Sequence, residues 1–359
     1  MTMLMETLNF ESQRHATPLC HIFGECGGCH YQNIPYSEEL RIKERGLLDT
    51  LRRFIEFDSM IVQPIVPSPK EYNYRHRIDL RLLKTKDKRI LVGFSPDDRF
   101  GIIEIDQCPI AAMSISNFIP RIKDEAKKIL PEKYRLANLV VRCGQEGKVQ
   151  WGGIGKGSLE LDEENYLWAE IHGKKIFYSL DTFFQANLSI LPDLFKRIRE
   201  FKLWNEDTVL FDLYGGVGLF SLGLLGSYSK SYLIEDCKNS IKLARYNVQY
   251  HQLSHVHIVE GRVEDCLDGI LKEEQGPTVA IIDPPRAGLT PQACEQLAGA
   301  EKFKNLLYLS CSPESLGRDL KYFVNNGWDI ETIIPFDFFP KTKHLETLVW
   351  LKRSDRKTL

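Results

Sequence analysis

The chain has 359 residues, a formal net charge of −2 and 43% hydrophobic residues. This is the composition of a globular protein, and it excludes a polycation that coats nucleic acid with its whole surface. No apolar stretch approaches the ~20 residues of a membrane span, and the first residues lack the pattern of a signal peptide. We therefore expect a cytoplasmic protein of two or three domains whose nine cysteines stay reduced.

A cysteine-rich segment follows the first 19 residues, which are polar and weakly patterned. Cys20, Cys26 and Cys29 are spaced as C-x5-C-x2-C, and Cys108 precedes a proline much later in the chain. Three clustered thiols with a distant Cys-Pro are typical of [4Fe–4S] ligands. Four thiols also suit tetrahedral zinc, and free thiols are the remaining interpretation. The pattern predicts a metal centre held by these four cysteines.

The following segments predict a small α+β region. Residues 38–56 have apolar side chains at helical spacing, and residues 77–84 and 89–95 flank a polar turn as in a β-hairpin. Residues 111–130 are expected to be helical. Residues 136–180 alternate between apolar and polar side chains, which predicts a small antiparallel sheet.

A local excess of positive charge accompanies the predicted hairpin. Residues 70–90 contain eight basic and three acidic residues, and Tyr72, Tyr74 and His76 are interleaved with them. Aromatic and guanidinium planes stack on unpaired bases, and cations bind phosphates, so we expect this stretch to contact RNA. A solvated hairpin face explains the charge pattern alone equally well.

Strand-like and helix-like segments alternate from residue 181 onwards. This alternation predicts an α/β fold with a doubly wound, mostly parallel sheet. We therefore expect three regions: a metal-binding segment and helix over residues 1–60, a central α+β domain over 61–180, and the doubly wound domain over 181–359.

A glycine-rich turn after the first strand of this last region predicts a nucleotide-type cofactor site. Gly215, Gly216 and Gly218 allow a ligand to approach the backbone at a helix N-terminus. Glu235 ends the next strand, where a carboxylate accepts both ribose hydroxyls. Asp212 fits the cationic amino-acid tail of S-adenosylmethionine better than a pyrophosphate. S-adenosylmethionine is the expected cofactor, with a nicotinamide cofactor as the alternative.

Three further polar groups lie near the ends of predicted strands, at the edge where open parallel sheets bind their ligands. Asp283 precedes two prolines and can project into the cleft. Cys311 lies between a strand and a helix N-terminus, which would lower the pKa of its thiol and favour a nucleophilic thiolate. A buried structural cysteine is the alternative. Glu346 lies near the start of the last strand and can act as a general base.

These segments together resemble the RNA 5-methyluridine methyltransferase family. The resemblance implies a Rossmann-like S-adenosylmethionine methyltransferase domain with Cys311 as nucleophile and Glu346 as the base that removes the C5 proton. It also implies a cofactor and uracil pocket containing Gln185, Tyr214, Glu235 and Asp283. The motifs occur in family order: FFQAN at 183–187, DLYGGVGLF at 212–220, IE at 234–235, DPPRAGL at 283–289, YLSCSPESLGRDL at 308–320 and DFFPKTKHLET at 337–347.

Three positions depart from the family pattern: Gly215 and Ser312, where neither change removes a reacting group, and Leu219, which stands where some relatives have a polar residue. Gly215 replaces the commoner cysteine, and Ser312 replaces the commoner asparagine. Family members with the same C-x5-CGGC spacing and a later Cys-Pro look like [4Fe–4S] proteins that act on large-subunit ribosomal RNA.

The resemblance therefore implies methylation of uridine C5 in 23S rRNA, through a covalent adduct between the cysteine and C6 of uracil. A tRNA uridine C5-methyltransferase and a noncatalytic RNA-binding assembly protein with the same fold are the alternatives. We expect a monomer that binds RNA and no membrane.

Overall fold

The computed structural model describes residues 16–96, 101–129, 135–153 and 163–354. The expectation for the first 19 residues concerns mainly residues 1–15, which lie outside these ranges. Within the ranges, no helix is both long and apolar enough to cross a membrane.

The largest element is a seven-stranded mixed sheet in the C-terminal half. Its strands are β8 (Val209–Leu213), β9 (Lys230–Glu235), β10 (Val256–Glu260), β11 (Thr278–Ile282), β12 (Phe303–Ser310), β13 (Trp328–Phe336) and β14 (Glu346–Arg353). Their spatial order is β10-β9-β8-β11-β12-β14-β13. Strands β8 to β12 are parallel to one another, while β14 is antiparallel to both β12 and β13. The expectation of a doubly wound, mostly parallel sheet is confirmed.

Apolar side chains cover both faces of this sheet, which explains why β8 and β11 are buried at every position. Successive residues alternate between two cores. Leu210 faces one core, which also contains Leu194 and Leu243, whereas Phe211 faces the other core, which also contains Leu47 and Leu316.

Eight α-helices occur in the described part of the chain. They are α1 (Tyr36–Leu51), α2 (Met113–Ile129), α3 (Leu191–Glu200), α4 (Leu219–Gly223), α5 (Lys238–Tyr250), α6 (Val263–Glu273), α7 (Pro291–Gly299) and α8 (Pro313–Asn325). Helix α1 ends five residues before the predicted boundary, because the chain turns at residues 52–54 and becomes irregular.

A second, antiparallel sheet lies in the central region. Its strands are β1 (Arg77–Lys84), β2 (Ile90–Phe94), β3 (Ile103–Glu104), β4 (Leu136–Cys143) and β5 (Val149–Gly153), in the order β3-β2-β1-β4-β5. The predicted hairpin is therefore present as β1 and β2. Helix α2 packs against this sheet through Ile115, Ile119 and Ile122.

The region from 136 to 180 does not form one sheet of its own. Strands β4 and β5 join the β1–β2 hairpin, and a separate hairpin contains β6 (Leu167–Ile171) and β7 (Lys174–Tyr178). The alternation of apolar residues identified strands here, but it does not encode which strand each one pairs with.

The N-terminal part of the chain packs directly on the seven-stranded sheet. Leu47 and Leu51 of α1 belong to the same core as Leu316 and Leu320 of α8. Phe54 lies against Gly317 in α8, where a Cβ atom would be only 2.5 Å from the Phe54 ring. The close approach of α8 to this segment therefore requires a glycine.

We predict that Gly317→Ala destabilises the protein by about 1–3 kcal/mol, because the added methyl group displaces Phe54. The matched control is Gly269→Ala in α6, where no atom lies within 4 Å of the added Cβ. That change should stabilise the protein by about 0.5–1 kcal/mol through helix propensity. Urea unfolding of both variants measures the two effects, and an equal response of the two sites would contradict the prediction.

Candidate active site

Cys311 and Glu346 meet at one end of the seven-stranded sheet. Ser310, the last residue of β12, pairs with Thr347 of β14 in antiparallel register. Cys311 follows Ser310, and Glu346 precedes Thr347. The register therefore brings the two residues opposite each other, where side chains of an antiparallel pair share one face. Asp283 follows β11, the next strand in the sheet.

The thiol and the carboxyl groups at this strand end influence one another electrostatically. Glu346 is buried, and burial together with the nearby Asp283 raises the pKa of its carboxyl group well above the ordinary value. Burial and the nearby Asp212 raise the pKa of Asp283 to about 7. Burial, Glu346 and Asp283 raise the pKa of the Cys311 thiol to about 11, while the charge of Arg286 opposes this shift.

The expected depression of the Cys311 pKa is therefore wrong for the ligand-free protein. Helix α8 does follow the cysteine, and Ser312 caps it by accepting a hydrogen bond from the backbone N–H of Ser315 at 3.4 Å. Burial and two neighbouring carboxyl groups outweigh the helix N-terminus. Because the pKa of the Cys311 thiol is raised, the thiol must lose its proton before it can act as a nucleophile.

The glycine-rich turn after β8 has the strained backbone that a close ligand approach needs. Tyr214 has φ 60°, and Gly218 has φ 96° at the start of α4. A Cβ at Gly215 would lie 2.6 Å from the side chain of Leu233. Leu233 thus fills the space that the side chain of the commoner cysteine would need, which accounts for this departure from the family pattern.

Glu235 connects this turn to the end of β9. Its Oε2 accepts a hydrogen bond from the Gly216 N–H at 2.8 Å, and its Oε1 accepts one from the Cys237 N–H at 2.8 Å. Burial raises the pKa of the Glu235 carboxyl group, although these N–H donors oppose the shift.

A cavity of about 300 Å³ opens beside the turn, where β8 and β9 end. Tyr214 and Glu235 line it, together with Arg262, Val263 and Glu264. Gln185 and Asp283 do not line this cavity. The structure therefore brings two of the four expected pocket residues together here. Arg262 and Glu264 are pocket residues that the sequence analysis missed, because nothing marks the segment after β10 beyond its position at a strand end.

Asp212 is completely buried beneath the turn. Its Oδ2 accepts hydrogen bonds from the N–H of Ser221 at 2.8 Å and from the Ser221 hydroxyl at 2.7 Å. Its Oδ1 has no hydrogen-bond partner among the described residues. Burial raises the pKa of this carboxyl group to about 7.

Gln185 lies on a segment that a buried arginine of the central sheet holds in place. Arg142 in β4 donates hydrogen bonds to the carbonyl oxygens of Ser179 at 2.7 Å and Phe184 at 2.8 Å, and also to that of Thr182. Its guanidinium lies 4.7 Å from the centre of the Tyr178 ring. Burial lowers the Arg142 pKa to about 10. The central sheet therefore positions the backbone around Gln185.

All four cysteines of the predicted metal centre line one cavity of about 410 Å³. None of them forms a disulfide. Burial, opposed by a hydrogen bond with Gln32, raises the pKa of the Cys29 thiol to about 12, and the nearby Cys108, Cys26 and Cys20 raise it further. Backbone hydrogen bonds from Ala111 and Ile110 reach the Cys108 sulfur. The donor set fits a thiolate-ligated centre, since sulfur atoms of cluster ligands accept such hydrogen bonds.

The thiols are not arranged as the ligands of a single ion. Over residues 16–96, 101–129, 135–153 and 163–354, no three or more His, Cys, Asp or Glu side chains form a group that could hold a metal ion. The structure therefore brings the four cysteines to a common cavity and does not itself define a metal site.

Three cationic side chains and a histidine also line this cavity, together with Asp79. Arg75, Arg286, Lys343 and His344 line it, and no described carboxylate forms a salt bridge with any of these four side chains (the described pairs all involve other residues). Burial, followed by the charges of Arg286, Arg75 and Lys343, lowers the His344 pKa to about 4. The sequence analysis did not identify this group, although Arg286 and His344 belong to two of its motifs.

The basic segment 70–90 is only partly available to a ligand. Tyr74 is completely buried, and its hydroxyl donates a hydrogen bond to the carbonyl oxygen of Pro340 at 2.9 Å. The expectation that Tyr74 stacks on a base is therefore wrong, because its ring is part of the core of the central region. Exposed cations remain on the outer side of the hairpin: Arg81, Lys86, Lys88 and Arg89.

Known proteins resemble this chain over nearly its whole length. An uncharacterized RNA methyltransferase of Clostridium tetani is 28% identical over 387 aligned positions, covering 94% of this chain and 84% of the relative. Another, from Synechocystis, is 26% identical and covers 98% of this chain and 85% of the relative. The Pyrococcus abyssi tRNA (uracil-54, C5)-methyltransferase, solved with S-adenosyl-L-homocysteine, superposes with a TM-score of 0.69 at 23% identity. That superposition covers 90% of this chain and 85% of that one, and it shows a shared fold.

A further match shows the family itself. Residues 155–354, more than half of the chain, match the tRNA (uracil-5-)-methyltransferase family. The chain belongs to this family. It is an RNA uracil-C5 methyltransferase that uses S-adenosylmethionine. In this methyltransferase the cavity at Tyr214 and Glu235 lies at the position where an open parallel sheet binds its cofactor.

The raised pKa of Asp283 makes the stability of this methyltransferase depend on pH. The folded state keeps the Asp283 proton up to about pH 7, whereas an unfolded chain releases it near pH 4. The stabilising contribution is complete below the unfolded pKa and is lost as the pH rises through the folded pKa. We predict that Asp283→Asn stabilises the ligand-free protein by roughly 1–2 kcal/mol more at pH 8 than at pH 5.

Thermal unfolding at the two pH values measures this difference. Asp329→Asn, at an exposed position in β13, controls for the removal of a surface carboxylate and should shift the melting temperature equally at both. A pH-independent effect of Asp283→Asn would contradict the raised pKa of the Asp283 carboxyl group.

Proposed function

We propose that this methyltransferase converts uridine to 5-methyluridine in 23S rRNA, with Cys311 as the covalent nucleophile and Glu346 as the base. The observation that supports this proposal is the placement of the two residues opposite each other at the ends of neighbouring strands β12 and β14. Asp283 and the cofactor-side turn adjoin them at the same edge of the sheet.

The chemistry of uracil explains why both groups are needed. C5 of uracil is a poor nucleophile. Addition of the Cys311 thiolate to C6 makes an enolate whose electron density at C5 attacks the sulfonium methyl group. Glu346 then accepts the C5 proton, the electron pair of the C5–H bond forms the C5–C6 double bond, and the C6–Sγ bond breaks to return the thiolate.

Both reacting groups lie below the surface, so the target nucleotide must leave its stack to reach them. Cys311 is half-buried and Glu346 is buried. Extrusion of a base exposes the face of the ring that the thiol attacks. The cations Arg75, Arg286 and Lys343 provide contacts for the phosphates of the strand that carries this base.

We further propose that Cys20, Cys26, Cys29 and Cys108 hold a [4Fe–4S] cluster. Four thiols around one cavity, with backbone N–H groups at Cys108, support this assignment. Each cysteine of a cubane cluster binds a different iron atom, so its ligands need not converge as the ligands of one ion do. A bound cluster would connect the N-terminal segment with the central sheet, as a structural zinc site connects its own ligand segments.

The preference for 23S rRNA rests on the resemblance of the cysteine segment to cluster-bearing members that act on large-subunit RNA. A tRNA substrate is the second candidate. The name of the matching family and the tRNA substrate named for the Pyrococcus abyssi enzyme favour it. The two candidates use the same chemistry at Cys311 and Glu346, and they differ in the RNA that is presented to the site.

The test is methylation of unmodified 23S rRNA and unmodified tRNA with methyl-labelled S-adenosylmethionine, followed by nucleoside mass spectrometry. We predict 5-methyluridine in the rRNA and a loss of at least about 10³-fold in rate for Cys311→Ala, because the covalent route is then closed. Glu346→Gln should retain adduct formation and lose turnover. Cys143→Ala, which removes a thiol from the central sheet, is the control.

Each alternative has its own outcome in this experiment. Product in tRNA alone would replace the rRNA assignment with the second candidate. Product formed normally by Cys311→Ala would overturn the covalent mechanism. RNA binding without any 5-methyluridine would favour a noncatalytic assembly protein.

The cluster has a separate prediction. Protein purified without oxygen should contain about four iron and four sulfide ions per chain and absorb visible light. Cys108→Ser should lose most of this iron and absorbance, whereas Cys143→Ser should retain both. Stoichiometric zinc, or equal iron in the two variants, would contradict the assignment.

A further inference from the structure

A buried lysine outside the catalytic sheet holds the loop that leads to Glu346. This loop, residues 337–345, connects β13 with β14 and is called here the base loop. Nζ of Lys43 in α1 donates hydrogen bonds to Oδ1 of Asp337 at 2.7 Å and to the carbonyl oxygen of Phe339 at 3.0 Å. A third hydrogen bond goes to Oε1 of Glu39 at 2.7 Å. All three protons of the ammonium group thus have acceptors.

The surroundings of Lys43 form a buried ionic network. Glu39 Oε1 also accepts a hydrogen bond from the backbone N–H of Lys341 at 2.6 Å, and Lys341 Nζ lies 2.8 Å from Glu71 Oε2. The side chains of Lys43, Glu39 and Asp337 are at most 1% exposed. Two anchoring points on the base loop, Asp337 and Lys341, therefore depend on charged groups of α1.

Such a network is a poor source of stability by itself. Removing two or more charges from water costs several kcal/mol per ion, and apolar replacements are often as stable. The network instead fixes the geometry of the base loop, because it specifies the positions of the Phe339 carbonyl group and of the Lys341 backbone. The chain then reaches Glu346 after only five further residues.

The base loop is also hydrogen-bonded to the cysteine segment. The carbonyl oxygen of Lys341 accepts hydrogen bonds from the backbone N–H groups of His30 at 2.7 Å and Tyr31 at 3.1 Å. These two residues directly follow Cys29. The cysteine segment, α1 and the base loop are therefore one connected unit that ends at the proposed base.

We propose that Lys43 is a positioning residue for proton removal: it holds the base loop so that the carboxylate of Glu346 reaches the C5 proton of the methylated uracil. The proposal rests on the proposed function. Lys43 acts through the base loop and touches neither RNA nor cofactor.

Loss of this role would affect only the second of two stages of the reaction, the removal of the C5 proton. Formation of the bond between Cys311 Sγ and C6 and transfer of the methyl group to C5 precede the step that needs the base. When Glu346 is displaced, the C5–H bond does not break and the C6–Sγ bond cannot be released by elimination. The methylated, covalent RNA–protein adduct then accumulates.

The experiment compares wild type, Lys43→Met and a control, Lys123→Met. Lys123 forms salt bridges of 2.9 Å with Glu104 and 2.8 Å with Asp106 in the central region, away from the base loop. Multiple-turnover rates, S-adenosylmethionine affinity and the fraction of labelled RNA that stays attached to protein on a denaturing gel are measured for each. For Lys43→Met we expect kcat to fall about 10- to 100-fold, an unchanged cofactor affinity and a higher fraction of attached RNA. Lys123→Met should match wild type in all three.

A second variant distinguishes loss of positioning from misfolding. It is needed because Lys43→Met leaves two buried carboxylates without their cation. The triple variant Lys43→Met, Glu39→Gln, Asp337→Asn removes the charges together while keeping similar side-chain volumes. It should fold, melt at a temperature close to wild type and still accumulate the adduct. Normal turnover by this folded variant, or slow turnover without extra adduct, overturns the positioning role. Absence of 5-methyluridine with wild type would instead refute the proposed function itself.

Discussion

The insertion of β14 between β12 and β13 is the constraint on which the rest of the site depends. Five strands of the sheet are parallel, and an antiparallel strand placed beside the last of them starts where β12 ends. A residue at the start of β14 and a residue after β12 are thereby held opposite each other. A shift of one residue in this register would turn Glu346 to the other face of the sheet, away from Cys311.

Several acidic groups lie at this edge of the seven-stranded sheet, and the pKa value of each is raised. Desolvation raises the pKa values of Asp212, Asp283 and Glu346, and a neighbouring carboxyl group raises each of them further. Together with a thiol whose pKa is about 11, they make a ligand-free site that favours neutral groups. A cationic sulfonium compound bound nearby would favour the ionised forms of these groups, so the site suits S-adenosylmethionine.

Much of the support for the site lies outside the seven-stranded sheet. Arg142 of the central sheet holds the segment around Gln185, and Lys43 of α1 holds the base loop. Both side chains are buried cations that donate hydrogen bonds to backbone carbonyl groups. Backbone carbonyls carry no side-chain identity, which is why neither contact could be inferred from motifs. The interdependence of the three regions follows from these two residues.

Local patterns were sufficient to predict most of the elements and the candidate residues at the strand ends. The alternation of strands and helices after residue 181 predicted the doubly wound sheet, because such alternation leaves few topologies. The positions of Cys311, Glu346 and Glu235 at strand ends are also local properties of the sequence. The spacing of Cys20, Cys26 and Cys29 indicated that these thiols belong together.

Contacts between distant segments decided the electrostatics of the site, the burial of individual side chains and the pairing of strands. The electrostatic environment of Cys311 depends on Glu346 and Asp283, which are 35 and 28 residues away, and their combined effect reversed the expected direction of its pKa. The burial of Tyr74 and the pairing of β4 with β1 likewise depend on contacts between distant segments. The sequence by itself determined which residues end each strand. Only the tertiary structure decided which of them meet and how they titrate, because pairing register and desolvation arise from contacts that no local pattern encodes.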